Sequence, residues 1–168
     1  MPRAQDVWIL SGARTPIGAF LGGLSRHTAT QLGAVAAAEA LRRSNTDPAA
    51  VDGVFWGNVL QTSRDAVYIA RHVALDAGVP ESTPALTVNR ACGSGLDAIT
   101  CGAKALMVGE ASVVLAGGSE NMSQTPYAVY EARRGSKLGH APFDDMLLSA
   151  LNDPKAGCSI GQTVEHLA

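Results

Sequence analysis

Of the three cysteines among these 168 residues, Cys92 stands where a thiol can do chemistry. It lies in Val88-Asn89-Arg90-Ala91-Cys92-Gly93-Ser94-Gly95-Leu96-Asp97-Ala98, where an apolar run passes into a helical pattern across small residues. That spacing predicts a strand handing over to a helix. In open parallel sheets ligands sit beyond the C-terminal strand ends, and the following helix presents free N–H groups and a partial positive charge. A helix N-terminus stabilises a thiolate, and the thiolate is the nucleophile. Gly93 and Gly95 let a reactant approach the main chain closely. The chemistry on offer is attack on an electrophilic carbon through a covalent intermediate. A lone cysteine is more often a small core residue, but three small residues beside this one make poor packing material and good access.

The other candidates are weaker. Cys101 lies among apolar residues of the expected helix and reads as a core thiol, and Cys158, beside Gly157, reads as an incidental loop thiol. No Cys-x-x-Cys pair occurs, so neither a disulfide framework nor a thiolate metal site is signalled. His27, His72, His140 and His166 show no ligand spacing, and no metal is expected. A competing motif uses the same junction: Gly93-x-Gly95-x-x-Ala98 satisfies the glycine fingerprint of dinucleotide binding, with Glu120 about where a ribose-binding acid, ~20 residues on, is sought. That fingerprint belongs to a first strand-helix turn, whereas two strand-helix units precede this one, and it leaves the thiol unexplained. A dinucleotide module using Gly93, Gly95 and Ala98 therefore ranks second.

The elements that must position Cys92 alternate along the chain. Val7 to Ser11 reads as a buried strand entering a turn at Gly12 and Pro16. Thr28 and Gln31 form a capping box for a helix continuing through Leu32, Val35, Ala36, Glu39 and Ala40. Val54-Phe55-Trp56 is the second strand, with a bulge before Val59-Leu60. Asp65 is placed to cap a helix whose Ile69, Ala70, Val73, Ala74 and Ala77 share a face, stopped by Gly78 and Pro80. Pro84 to Asn89 is the third strand. Leu96, Ile99, Ala103, Leu106 and Met107 describe the buried stripe of a helix from Gly95 to Val108, and Val113 to Ala116 is the fourth strand, ending in Gly117-Gly118. Strands alternating with helices predict a parallel, layered α/β sheet. After Glu120, residues Met122 to Ala150 lack sustained periodicity and read as an excursion. Thr163, Val164 and Leu167 are helically spaced, with no stop signal before the chain ends, as if an element were cut short.

Bulk properties narrow the classes. With 46% hydrophobic and 17% charged residues, the chain can bury a core and disorder is the wrong expectation. Thirteen Lys and Arg against fifteen Asp and Glu leave no basic footprint for nucleic acid. The start, Met1 to Asp6, meets an acidic residue before any long apolar run, which predicts a soluble, cytoplasmic protein that neither enters nor binds membrane.

Beyond one motif, the chain resembles the thiolase family. Ser11-Gly12-Ala13-Arg14-Thr15-Pro16-Ile17-Gly18 is similar to the family's opening strand and turn, and Gly57-Asn58-Val59-Leu60-Gln61 to its second-strand segment. Asn89-Arg90-x-Cys92-Gly93-Ser94-Gly95 resembles its nucleophile motif. Gly117-Gly118-x-Glu120-x-Met122-Ser123-x-x-Pro126-Tyr127 resembles the signature after the fourth strand, and Gly161-x-Thr163-x-Glu165 the start of a loop-domain helix.

The resemblance implies a thiolase-like α/β fold of two similar halves with a loop domain inserted in the first. Residues 1–120 would be the N-terminal half without its last strand, and 121–168 the beginning of the loop domain. It implies an acyltransferase, an acetyl-CoA acetyltransferase or β-ketoacyl-CoA thiolase, in which Cys92 carries the acyl group between acyl-CoA and CoA or acetyl-CoA, by thiolytic cleavage or Claisen condensation. Coenzyme A thioesters are then substrates, and no cofactor is expected. The activating histidine, a second cysteine and most oxyanion donors belong to a missing C-terminal half, in the same or another chain. The Cys92 N–H would contribute to one oxyanion hole. Leu151 falls where a CoA-contacting leucine would lie, and Ser159 where some members carry histidine. Dimers through the third-strand region and tetramers through an excursion at 133–139 would follow. A non-catalytic fragment that only associates with its missing half is the remaining alternative.

Overall fold

The computed structural model describes residues 6–135 and 138–167, so Met1 to Gln5, Ser136, Lys137 and Ala168, on which part of the expected start and oligomer excursion falls, lie outside the described residues. The chain divides into two units, residues up to Gln124 and residues from Thr125 on, beside the sequence-based division after Glu120.

The first unit is built on three parallel strands in the order β2-β1-β3: β1 Gly53–Gly57, β2 Ala85–Val88 and β3 Val114–Gly118. Helices α1 (Ala29–Arg43), α2 (Ile69–Asp76) and α3 (Ser94–Met107) connect and cover them. The alternation expected from the sequence is therefore present. α1 opens with the capping box: Thr28 Oγ1 accepts from the Gln31 N–H at 3.1 Å and Gln31 Oε1 accepts from the Thr28 N–H at 3.0 Å, satisfying two donors a helix start otherwise leaves unpaired. The Ile69, Ala70, Val73, Ala74 and Ala77 face of α2 is buried, as its spacing predicts, joining Val54, Trp56 and Leu115 in one core.

Four expectations are corrected. Val7 to Leu10 is not a buried strand. It runs without strand pairing, with Trp8 77% and Ile9 84% exposed, and between it and β3 lies a groove of about 800 Å³ lined by residues 6–13 and 113–117. A strand needs a ladder partner, and β3 is paired only to β1. Second, β1 ends at Gly57 and does not run through a bulge into Val59-Leu60; α1, whose inward face the sequence left unassigned, buries Ala29, Thr30, Gly33, Ala34, Ala37 and Leu41 and leaves Val35 exposed. Third, α3 buries Ser94, Ala98, Gly102 and Ala105, while Leu96 is 71% exposed and Ile99 and Met107 also face outward. The reason is distance: a Cβ on Gly102 would stand 3.1 Å from Val114 and 3.4 Å from Phe55, so only small residues fit against the sheet. Fourth, Asp65 makes no side-chain cap bond. Its φ of -89° and ψ of -10° already lie in the helical region, not the extended geometry of a capping residue, and a 3-10 turn at Ala66–Tyr68 precedes α2.

Asp52 ties two strand starts together. Its Oδ2 accepts from the Ser112 N–H at 2.7 Å and the Val113 N–H at 3.0 Å, while its own N–H donates to the Val113 carbonyl at 2.9 Å. The two backbone donors favour the charged carboxylate and hold its pKa below the ordinary value. A lowered folded-state pKa contributes stability that is present above the unfolded pKa and lost as pH falls through the folded one. Asp52→Asn is therefore expected to unfold at lower urea than the unaltered protein at neutral pH, with the gap closing below about pH 4. A gap that stays constant down to the acid limb would contradict this.

The second unit is made of short pieces. β4 (Tyr127–Ala128) pairs antiparallel with β5 (Asp144–Asp145), α4 spans Met146–Leu151, and β6 (Asn152–Asp153) pairs with β7 (Cys158–Ser159) ahead of α5 (Ile160–Glu165). Asp145 caps α4 through the Leu147 and Leu148 N–H groups, and a Ser159–Gln162 capping box opens α5. That second box has the same spacing as the first, and sequence reasoning missed it.

Candidate functional site

The strand-helix junction is real, and its local geometry follows from three side chains. Beyond β2, the Asn89 Oδ1 accepts from the Ala91 N–H at 3.1 Å, a turn that Asn and Asp make with the backbone two residues on. Ser94 Oγ accepts from the Arg90 N–H at 2.8 Å and donates to the Ala91 carbonyl at 2.6 Å. Between these ties Ala91 is held at φ +47°, the left-handed region that residues with a Cβ seldom enter. Cys92 follows directly and is exposed. The chain then closes into α3, with Gly93 at its N-cap making no side-chain cap bond. Arg90 bridges to Asp97 in the helix's first turn at 3.0 Å. The thiol thus stands at the apex of a turn, at the start of a 14-residue helix.

The neighbouring strand ends crowd this start. A Cβ on Gly57, at the end of β1, would meet the Ser94 carbonyl carbon at 2.6 Å, and one on Gly118, at the end of β3, would meet the Gly57 carbonyl oxygen at 3.0 Å. Their lack of side chains is what brings the helix N-terminus down onto the sheet.

Glu120, two residues beyond β3, reaches across to the segment after β1. Its carboxylate accepts from Asn58 Nδ2 at 3.0 Å, from the Val59 N–H at 2.8 Å and from the Leu60 N–H at 3.3 Å. Those bonds explain why β1 ends at Gly57: the N–H groups of Val59 and Leu60 turn to the carboxylate and not to a strand. Burial pushes the Glu120 carboxyl up, and the Val59, Leu60 and Asn58 donors oppose that. Asn58 itself is buried. Asn89 Nδ2 donates to the Val59 carbonyl at 3.4 Å, so this loop touches the Cys92 turn.

This arrangement removes the dinucleotide reading. Glu120 is spent on internal donors, and the glycine pattern follows β2, an edge strand of the sheet, not the central β1.

The chain's residues 7–168 match the model of the thiolase N-terminal domain. The chain belongs to the thiolase family. It is 46% identical to human mitochondrial 3-ketoacyl-CoA thiolase over 169 aligned residues, which cover 100% of this chain and 43% of that protein. It is 42% identical to the beta-ketothiolase BktB of Cupriavidus necator, covering 98% of this chain and 42% of the relative. The crystal structure of the human thiolase in complex with CoA superposes with a TM-score of 0.91 at 47% identity, over 95% of this chain and 41% of that one. The acetyl-CoA acetyltransferase of Bacillus anthracis gives 0.89 at 37% identity, over 95% and 40%. The thiolase α/β fold is thus shown for this chain, which spans less than half the length of these thiolases.

The remaining residues singled out in the sequence lie on other elements. Leu151 ends α4 in the second unit and is exposed. Cys101 lies part-buried in α3. Cys158 is not a loop thiol but part of β7, part-buried, with its sulfur 3.5 Å from Thr163 Oγ1. Ser159, at the position compared with the family's histidine, is engaged as the α5 cap. Among the described residues no three His, Cys, Asp or Glu side chains gather as a metal site, and no helix is long and apolar enough to cross a membrane. Sequence reasoning set Asn89 in the Cys92 motif without giving it a role, and it read Glu120 only as a candidate ribose-binding acid and a signature residue, missing its tie to the loop that touches the Cys92 turn. The available signal was a carboxylate two residues beyond a strand ending in two glycines.

Proposed function

We propose that the protein containing this chain is a thiolase-type acyltransferase whose nucleophile is Cys92. The observation that supports it is the exposed thiol on a left-handed turn at the start of α3. The thiolate attacks the carbonyl carbon of an acyl-CoA, the tetrahedral oxyanion collapses, and the carbon–sulfur bond to CoA breaks, leaving acyl-Cys92 and the CoA thiolate. In condensation the carbanion of acetyl-CoA then attacks the acyl-enzyme, forming a carbon–carbon bond and releasing the Cys92 thiolate. In thiolytic cleavage Cys92 instead attacks the β-keto carbon of a β-ketoacyl-CoA, the Cα–Cβ bond breaks and its electron pair takes a proton to leave as acetyl-CoA, and the CoA thiolate then takes the acyl group from Cys92. One thioester exchange and one step at a carbon–carbon bond replace a single difficult transfer. In this reading the Cys92 N–H donates to the oxyanion, and a base beyond this chain takes the thiol proton.

The groove beside β3 receives a strand supplied by the rest of the protein, and the outward Leu96, Ile99 and Met107 face of α3 packs against its second half. Leu151 contacts CoA. The protein works as a dimer or tetramer in a reducing compartment such as the cytoplasm, in keeping with three free thiols.

Iodoacetamide, applied to the full-length protein at neutral pH, is expected to label Cys92 much faster than Cys101, with acyl transfer lost in parallel. Equal rates at the two cysteines, read by peptide mass spectrometry, would sink the assignment. Saturable NADH binding indifferent to Cys92→Ala would revive the dinucleotide alternative.

A further inference from the structure

Among the described residues one half-buried carboxylate has no cation beside it. Among the described residues Glu120 makes no ion pair; its oxygens take only N–H donors, from Asn58, Val59 and Leu60. A charge removed from water and held by dipoles alone is costly in stability, which directs attention to what its bonds position.

They position a loop that reaches the reactive turn. The Val59 carbonyl accepts from Asn89 Nδ2, and the other end of the same amide, Asn89 Oδ1, accepts from the Ala91 N–H. Ala91 is the residue at φ +47° directly before Cys92. A left-handed non-glycine residue persists only when its surroundings over-determine it. Ser94 supplies one such restraint from the helix side, and Asn89 supplies the other from the strand side. Asn89 can do so only if its amide is prevented from rotating, and the bond to Val59 is what prevents it. Val59 in turn is held by the bond from its own N–H to Glu120, the shortest of the carboxylate's contacts at 2.8 Å.

We propose that Glu120 is a positioning residue for the thiol: it anchors the 58–60 loop, which fixes the Asn89 amide, which holds the left-handed turn that presents Cys92. This rests on the reading of Cys92 as the nucleophile. Glu120 touches no reacting atom. It acts through Val59, Asn89 and Ala91, and its acceptor oxygens matter more than its charge, so a glutamine retains part of the function by offering its carbonyl oxygen to the Val59 and Leu60 N–H groups.

The test uses the full-length protein, with iodoacetamide labelling of Cys92 as the readout and labelling of Cys101 as the reporter of general loosening. Glu120→Ala is expected to slow Cys92 labelling several-fold while Cys101 keeps its rate, and Glu120→Gln is expected to recover part of the loss. Asn89→Ala removes the middle link without touching the carboxylate, so the double variant E120Q/N89A is expected to be no slower than N89A alone. Non-additivity of this kind marks residues acting through one path. If E120A does not fold, E120Q and N89A carry the comparison. Unchanged Cys92 labelling in E120A, equal slowing in E120A and E120Q, or additive losses in the double variant would each overturn the proposal. If Cys92 in the unaltered protein labels no faster than Cys101, the nucleophile assignment fails first and this proposal falls with it, a result seen before any variant is made.

Discussion

Full-length protein carrying Cys92→Ala is expected to lose acyl transfer by about 10⁶-fold, the scale on which removing the nucleophile of an enzyme that works through a covalent intermediate lowers turnover. The loss should fall on the rate of the chemical step and not on CoA affinity, because the contacts that hold CoA do not depend on the thiol. Two measurements separate this from a folding defect. Rapid quenching of the unaltered protein with acetyl-CoA should show one acetyl group on the peptide containing Cys92, and the variant should show none on any peptide. The variant should also unfold at a similar urea concentration, since Cys92 is exposed and its removal leaves no cavity. An acetyl group appearing on Cys101 or Cys158 in the variant, with turnover retained, would refute the assignment.

The second large effect is steric. Gly57→Ala places a methyl group 2.6 Å from the Ser94 carbonyl carbon and 2.8 Å from the Gly95 nitrogen. Both are backbone atoms at the start of α3 and cannot rotate away. The helix must lift from the end of β1, and overpacking of this kind costs roughly 3 kcal/mol, measurable by urea unfolding. Because Ser94 also buckles the turn at Ala91, lifting the helix should displace Cys92 and slow its alkylation in whatever fraction remains folded. Gly23→Ala is the control: a Cβ there meets nothing within 4 Å, and its effect should stay within about 0.5 kcal/mol. Equal stability of the two variants would mean that the close approach of β1 and α3 is not a constraint.

The buried faces of α3 and α1 were settled by one cause. α3 was legible as a helix from the spacing of Leu96, Ile99, Leu106 and Met107, but those residues define a face that is mostly outward. Hydrophobic periodicity says that a face is apolar, not which apolar face meets the sheet. The choice was made by Phe55 and Val114 standing so close to Gly102 that only the Ala98, Gly102 and Ala105 side could approach. The same holds for α1, where Gly33 lies 2.9 Å from the Trp56 ring by the measure of an added Cβ. Residues 7–10 failed for a different reason: a β-rich run becomes a strand only when another strand supplies its hydrogen bonds, and that partner is not a local property.

What the sequence determined by itself was local: the capping box at Thr28, the stop at Gly78, the alternation of strands and helices, and the passage from β2 to α3 that carries Cys92. Each is written in turn chemistry or periodicity within about ten residues. The tertiary structure alone decided the strand order β2-β1-β3, the buried faces of α1 and α3, and the place of Glu120. Its bond to Asn58 spans 62 positions, and no local pattern specifies a carboxylate's partner across that separation. Only the packing of β3 beside β1, with glycines at both ends, brings Glu120 within reach of the loop that touches the Cys92 turn.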